Sequence, residues 1–304
     1  MLLAGAGAAA SGQGRSFLRE DVEFLSDSLC RGRGAGDKGA GEAASYVVRR
    51  LSKIPGVVPA GDSWTDTFTL PSGRAGRNVA GFLPAAGPGS RRESGVVIVM
   101  AALDGLGMLG GTLYPGADSD ASGVAAMLRI AERLPAVPVR PRSILFVALD
   151  GHFQKFSGAA RLWTLISGGL LSDPEDGRPL RRGGVSLVVN LDIIGSNLSP
   201  VVKYRREYLI ALGGVPYAQR LGKCNPDDLH LSYDYYGSRD FTDLFYRKLG
   251  DHKVFLDGGC PCVVFTSGIT MLTNKPGDVA SSLDYGLLEK RAALIASWLS
   301  GPLR

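Results

Sequence analysis

Asp104, Asp118, Asp120, His152 and Asp192 are the residues whose types, taken together, could do chemistry. Carboxylate oxygens with one imidazole nitrogen form a mixed donor set that suits a single divalent cation, and Asp104, Asp120, His152 and Asp192 are the version of that set we single out. The same region permits a nucleophilic reading in which Ser119, His152 and Asp150 act as hydroxyl, base and orienting acid. The sequence around Ser119, GADSDASG, lacks the Gly-x-Ser-x-Gly elbow that presents such a nucleophile, and a lone crevice His often makes only a structural hydrogen bond. The carboxylates have a plainer alternative as well, capping helices and pairing with arginines.

These residues matter only if the chain brings them together. Apolar spacing at Leu18, Val22, Leu25 and Leu29 predicts an amphipathic helix, and a Gly-rich loop, RGRGAGDKGAG, separates it from a second helix carrying Ala44, Val47, Val48 and Leu51. Strands are expected near 64–70 and 78–83, then over Val96–Met100, Ile144–Leu149, Val185–Leu191, Tyr208–Leu212 and Cys262–Thr266. Helices are expected near 122–134, 157–168, 215–223, 240–249 and 286–299. Strands alternating with helices imply an α/β fold of three layers, a mostly parallel or mixed central sheet with helices on both faces. In such sheets ligands bind beyond the carboxyl ends of the strands. The segments there are AALDGLG (101–107), DGHFQKFSG (150–158), DIIGS (192–196) and TSGITMLTNKPGD (266–278), and all four should face one crevice. Loops at 84–94 and 171–184 read as surface excursions, leaving residues 15–304 as one domain.

Composition narrows the class. The chain has 304 residues, 45% apolar and 21% charged, enough to bury a large core. Its formal charge of +5 is spread over pairs such as Arg49/Arg50, Arg91/Arg92 and Arg181/Arg182 with no interleaved aromatics, so nucleic-acid binding is not expected. No apolar run approaches the roughly 20 residues of a membrane span. Cys30, Cys224, Cys260 and Cys262 fit no zinc module and read as buried thiols, with one long-range disulfide possible. Residues 1–14, MLLAGAGAAASGQG, read either as the end of a secretory signal or as a disordered tail. The string GLGMLG (105–110) mimics a dinucleotide fingerprint, but the following GTLYPGAD does not open a helix, and a flexible loop is expected. Asn197-Leu198-Ser199 is a glycosylation acceptor only in a glycosylating pathway, and otherwise a turn.

The segments PGADSDASG and NLDIIGS, with those at 101–107, 150–158 and 266–278 in order, make the chain resemble the zinc aminopeptidase family that uses two co-catalytic metals, whose relatives include glutaminyl cyclases and metal-free members such as nicastrin. The resemblance runs over nearly the whole chain. It implies five ligand positions and one base. The first His falls at Ala102, two residues before the retained Asp104; the bridging carboxylate falls at Ser119; the base and the adjacent Glu ligand fall at His152 and Phe153; the next carboxylate is Asp192; and the last His falls at Asn274, before Asp278. Asp192 is the only ligand kept, although a one-residue shift could present Asp118 or Asp120 in place of Ser119. Zinc sites take three or four protein donors each, so the resemblance implies the fold without the reaction and no cofactor, with zinc retained only if the site has been rebuilt.

The expectation is a peptidase-like binding or scaffold protein, periplasmic or secreted, with an active metal-dependent hydrolase as the alternative. A pocket built of Asp104, Asp118, Asp120 and Asp192 beside Tyr235, Tyr236 and Phe241 could hold a peptide or an amine; otherwise Phe153 and His152 fill it.

Overall fold

A computed structural model describes residues 16–87 and 95–303. The readings of residues 1–14 and of most of the 84–94 loop therefore lie outside the described residues. In chain order the elements are α1 (Leu18–Leu25), α2 (Lys38–Leu51), β1 (Val58–Pro59), β2 (Thr65–Thr69), β3 (Ala75–Leu83), β4 (Val96–Ala102), β5 (Gly107–Leu109), β6 (Thr112–Tyr114), α3 (Ser122–Arg133), β7 (Ser143–Leu149), α4 (Ser157–Gly168), β8 (Val185–Leu191), β9 (Tyr208–Leu212), α5 (Ala218–Lys223), β10 (His230–Ser232), α6 (Arg239–Arg247), α7 (His252–Asp257), β11 (Cys262–Thr266) and α8 (Tyr285–Leu299).

Nine strands form one mixed sheet among the described residues, ordered β1-β3-β7-β4-β8-β11-β9-β10, with β2 also on β3. The centre is parallel: β4 pairs β7 and β8, and β8 pairs β11. Antiparallel pairing of β3 with β7 and of β9 with β11 flanks it. Strand periodicity explains why the central strands read as unbroken apolar runs. Val97, Val99 and Ala101 enter one core, with α1, α2, α3, α5 and α8, while Val96, Ile98 and Met100 enter another, with α4 and α7. Both faces are covered, as the three-layer expectation requires.

Several expectations are corrected. The first helix stops at Leu25, because the Asp27 carboxylate accepts the Leu29 N–H at 2.8 Å and turns the chain; Leu29 is exposed. The GLGMLG segment is not a loose loop: β5 and β6 make a hairpin across Gly110 and Gly111, both at positive φ. All four cysteines are free and buried, so no disulfide joins them. The short β10, β1 and α7 carry too few residues for periodicity to reveal them. No helix of the described residues is long and apolar enough to cross a membrane.

Candidate functional site

The carboxyl ends of β4, β7, β8 and β11 meet along one edge of the sheet, and the loops that leave them build the site. Between β6 and α3 the chain makes a tight turn over Ala117–Ala121. Asp278 secures it from the opposite loop, accepting the N–H groups of Asp118 at 2.7 Å and Ser119 at 3.0 Å. Gly123 lets the start of α3 press against the end of β8, since a Cβ there would collide with the Leu191 carbonyl.

Of the acidic residues, most turn inward to the backbone. Asp120 accepts from the N–H groups of Ala102 at 3.2 Å, Gly123 at 3.2 Å and Ile193 at 3.1 Å, so it caps α3 and ties it to β4 and β8. Asp118 accepts from Gly195 N at 2.8 Å and from Ser122 Oγ at 3.0 Å. Asp104 accepts from the N–H groups of His152 at 2.8 Å and Phe153 at 3.3 Å. Both oxygens of Asp120 are thus taken by backbone N–H groups, whereas Asp118 is held through Oδ1 and its Oδ2 is buried without a partner among the described residues. The helix-capping alternative describes Asp120 well; none of these three makes a direct arginine ion pair among the described residues. Burial raises all three acids, Asp104 to about 7 and Asp118 to about 6, with Asp278 adding to the rise at Asp118 and Asp192 to that at Asp120.

Beneath them lie two fully buried cations. Arg33 donates to the carbonyls of Leu25, Leu103, Pro115 and Gly116, and Arg291 to those of Tyr208, Ile194 and Ser196. Each staples several strand-end loops, because a guanidinium offers five donors in one plane.

What faces the crevice is a cavity of about 200 Å³, lined on its polar side by Ser119, His152, Asp192, Thr266 and Asn274. Phe153, Phe156, Leu212, Tyr235, Phe245, Leu249, Val264 and Ile269 supply its apolar wall. The crevice is thus open, not filled by Phe153 and His152. Tyr236 and Phe241 do not line it; Phe245, one helical turn past Phe241 in α6, takes that place and stacks on Tyr235 with ring centroids 4.2 Å apart.

Two contacts decide what this centre can do. Ser119 Oγ donates to Asn274 Oδ1 at 3.0 Å. His152 Nδ1 lies 2.7 Å from Asp251 Oδ2, a buried carboxylate at the start of α7. Burial opposes charge on His152, yet Asp251, with Asp192 and Asp104 beyond it, outweighs burial and raises the imidazole to about 10. The Asp251 carboxylate thus favours the protonated ring. The geometry does not support the nucleophilic reading. The Asp150 carboxylate accepts Arg77 N instead of orienting His152, the Ser119 hydroxyl points to Asn274, and a protonated imidazole takes no proton. His252, by contrast, is lowered by burial to about 4 and stays neutral, with Nε2 on the Tyr246 carbonyl at 2.8 Å.

Among the described residues no three His, Cys, Asp or Glu side chains converge on a point where they could hold a metal. Asp104, Asp120, His152 and Asp192 do not form such a set, since backbone N–H groups and Asp251 already engage three of them. The residues present do not fit a two-zinc centre. Asp251 was not visible in the sequence as a site residue; an isolated Asp before a six-residue helix carries no signal of its partner.

Comparison with the curated proteins finds no match. Among solved structures the chain is similar to the LapA aminopeptidase of Legionella pneumophila, with a TM-score of 0.67 and 14% identity over 94% of this chain and 72% of that one. It is similar to the glutaminyl cyclase of Fimbriiglobus ruber, TM-score 0.69 and 15% identity over 99% of each chain, and to the aminopeptidase of Aneurinibacillus sp. strain AM-1, TM-score 0.65 and 12% identity over 94% of each. Likeness at these identities shows the fold alone. The sequence pattern of Peptidase family M28 matches residues 78–299, from the middle of β3 to the end of α8. The chain belongs to peptidase family M28.

Proposed function

We propose that this chain binds where its family cleaves: a non-catalytic protein whose cavity holds a cationic group such as the amine of a peptide or small molecule. The observation that supports this most is the hydrogen bond from Ser119 to Asn274, two positions at which the resembling enzymes keep metal ligands. The Ser119 hydroxyl is donated to the Asn274 amide oxygen, and neither side chain carries the negative charge that helps hold a dication. The base position supports the same reading. A general base must accept a proton from water, and Asp251 favours the protonated form of His152, which has no lone pair free to take one. The cavity still offers the Asp192 carboxylate beside an aromatic wall, a combination that attracts cations.

The experiment is metal analysis of protein dialysed against zinc, paired with aminoacyl p-nitroanilide turnover. We expect well under one zinc per chain and no turnover above background. Two tightly held zincs, or turnover abolished by a chelator, would establish instead the metal-dependent hydrolase with a rebuilt site. Turnover that survives chelation but disappears in His152→Ala would make the protein a metal-free hydrolase. We place the protein outside the cytoplasm on the strength of the apolar, small-residue stretch at residues 1–14, and fractionation of cells expressing the full chain tests that.

A further inference from the structure

We propose that two copies of this chain pair through β2 and run their sheets into one; the inference stands apart from the reading of the cavity. β2 pairs with β3 alone, and its far side is a sheet edge among the described residues. Which residues face that edge follows from the ladder. Ala80 N–H donates to the Trp64 carbonyl at 2.8 Å, and Leu70 N–H to the Arg74 carbonyl at 2.9 Å, one at each end of the same register. Antiparallel partners exchange bonds at every second pair, so Trp64, Asp66, Phe68 and Leu70 bond inwards, while Thr65, Thr67 and Thr69 turn their N–H and C=O groups outwards. Ser63 Oγ meets the Thr65 N–H at 3.2 Å; Thr67 and Thr69, both exposed, have no outward backbone partner among the described residues.

A row of such groups is a template for another strand, and sheets commonly blunt it with Lys, Pro or a bulge. β2, TDTFT, has none of these, and its one charge, Asp66, is clasped by Arg161 through Nε and Nη2, each at 2.9 Å. A second copy is the strand that fits. Set antiparallel about a two-fold axis at Thr67, the outward residues meet as Thr67 with Thr67 and Thr65 with Thr69, a parity that permits about six ladder bonds. Thr then stands against Thr on one face and Asp66 against Phe68 on the other, so no like charges oppose. Asp66 and Phe68 project towards α4, where Asp66, Leu162, Leu165, Leu170 and Leu171 border an apolar cavity of about 220 Å³ and Leu170 is 70% exposed. Phe68 of the second copy arrives on that face. An edge of five residues is only about 17 Å long, short of what a stable interface of roughly 1,200 Å² needs, so the dimer is weak, with a Kd in the micromolar range.

Sedimentation equilibrium of the full chain from about 1 to 500 µM tests this, with a monomer–dimer equilibrium expected. Thr67→Lys sets two ammonium groups against each other without touching a bond to β3, and should weaken the dimer at least about tenfold while leaving Tm near that of the parent. Thr67→Pro removes both central ladder donors and should do the same; if that variant does not fold, the Lys variant decides. All four native cysteines are buried, so a short bismaleimide should join Thr67→Cys to its copy. Thr69→Cys, four residues out of register with itself and about 13 Å away, should not be joined. A monomer at every concentration, a dimer that Thr67→Lys leaves intact, or cross-linking of Thr69→Cys as readily as of Thr67→Cys overturns the pairing.

Discussion

Replacing Asp104 by Asn should make the protein more stable above neutral pH. Asp104 is 1% exposed, and burial lifts its carboxyl from 3.8 to about 7, with His152 pulling it back and Asp150 adding to the rise. At about 1.4 kcal/mol for each factor of ten, ionising it in the folded state costs about 4 kcal/mol. The sign follows from linkage. The folded chain binds this proton more tightly than the unfolded one, so the contribution is fully present below pH 3.8 and is lost as pH rises through about 7. Asn resembles the protonated acid in shape and charge. It keeps one acceptor for the His152 N–H at 2.8 Å and loses the longer bond to Phe153 N at 3.3 Å, a penalty of about 1–3 kcal/mol. The variant should therefore exceed the parent by about 1–3 kcal/mol at pH 8 and fall below it at pH 4. Urea denaturation from pH 4 to 6.5 isolates most of the effect, because the raised His152 loses its own contribution only as pH rises from 6.5 towards 10. Parallel stability curves for the two proteins, or an Asn variant weaker than the parent at pH 8, would refute the argument and make Asp104 a needed anion.

Other expectations follow from single contacts. A double-mutant cycle of Ser119→Ala and Asn274→Ala should give a coupling of about 0.5–1.5 kcal/mol by denaturation, and additivity would show that the bond across the centre is not formed. Arg33→Lys should cost at least about 3–5 kcal/mol or prevent folding, since one ammonium cannot reach four carbonyls; a Tm within a few degrees of the parent would contradict the stapling role. Cys30, Cys224, Cys260 and Cys262 should resist a thiol reagent in the native protein and all react in denaturant, with burial also raising the Cys262 thiol and that of Cys30, the latter to about 11. Rapid native labelling of any of them would contradict its burial.

The sequence by itself determined the layers of this protein and the edge at which it has a site. Val185–Leu191, Tyr208–Leu212 and Cys262–Thr266 were legible to the residue, because a strand buried on both faces is mostly apolar, with only Ser186, Asn190 and Thr266 as small polar exceptions. The crevice followed, since parallel strands must release their loops at one end. The identities at Ala102, Ser119, Phe153 and Asn274 were equally plain, because a methyl or phenyl group ligates nothing in any fold and a neutral hydroxyl or amide is a poor substitute for a carboxylate or imidazole on zinc. Tertiary structure alone decided what those positions became. Ser119 and Asn274 stand 155 residues apart, and His152 and Asp251 stand 99 apart. No local pattern links such partners; they meet because sheet register sets β4, β7, β8 and β11 side by side. The same register turned Asp104, Asp118 and Asp120 away from the crevice, since strand-end N–H groups that had lost water needed acceptors, and these buried carboxylates were within reach.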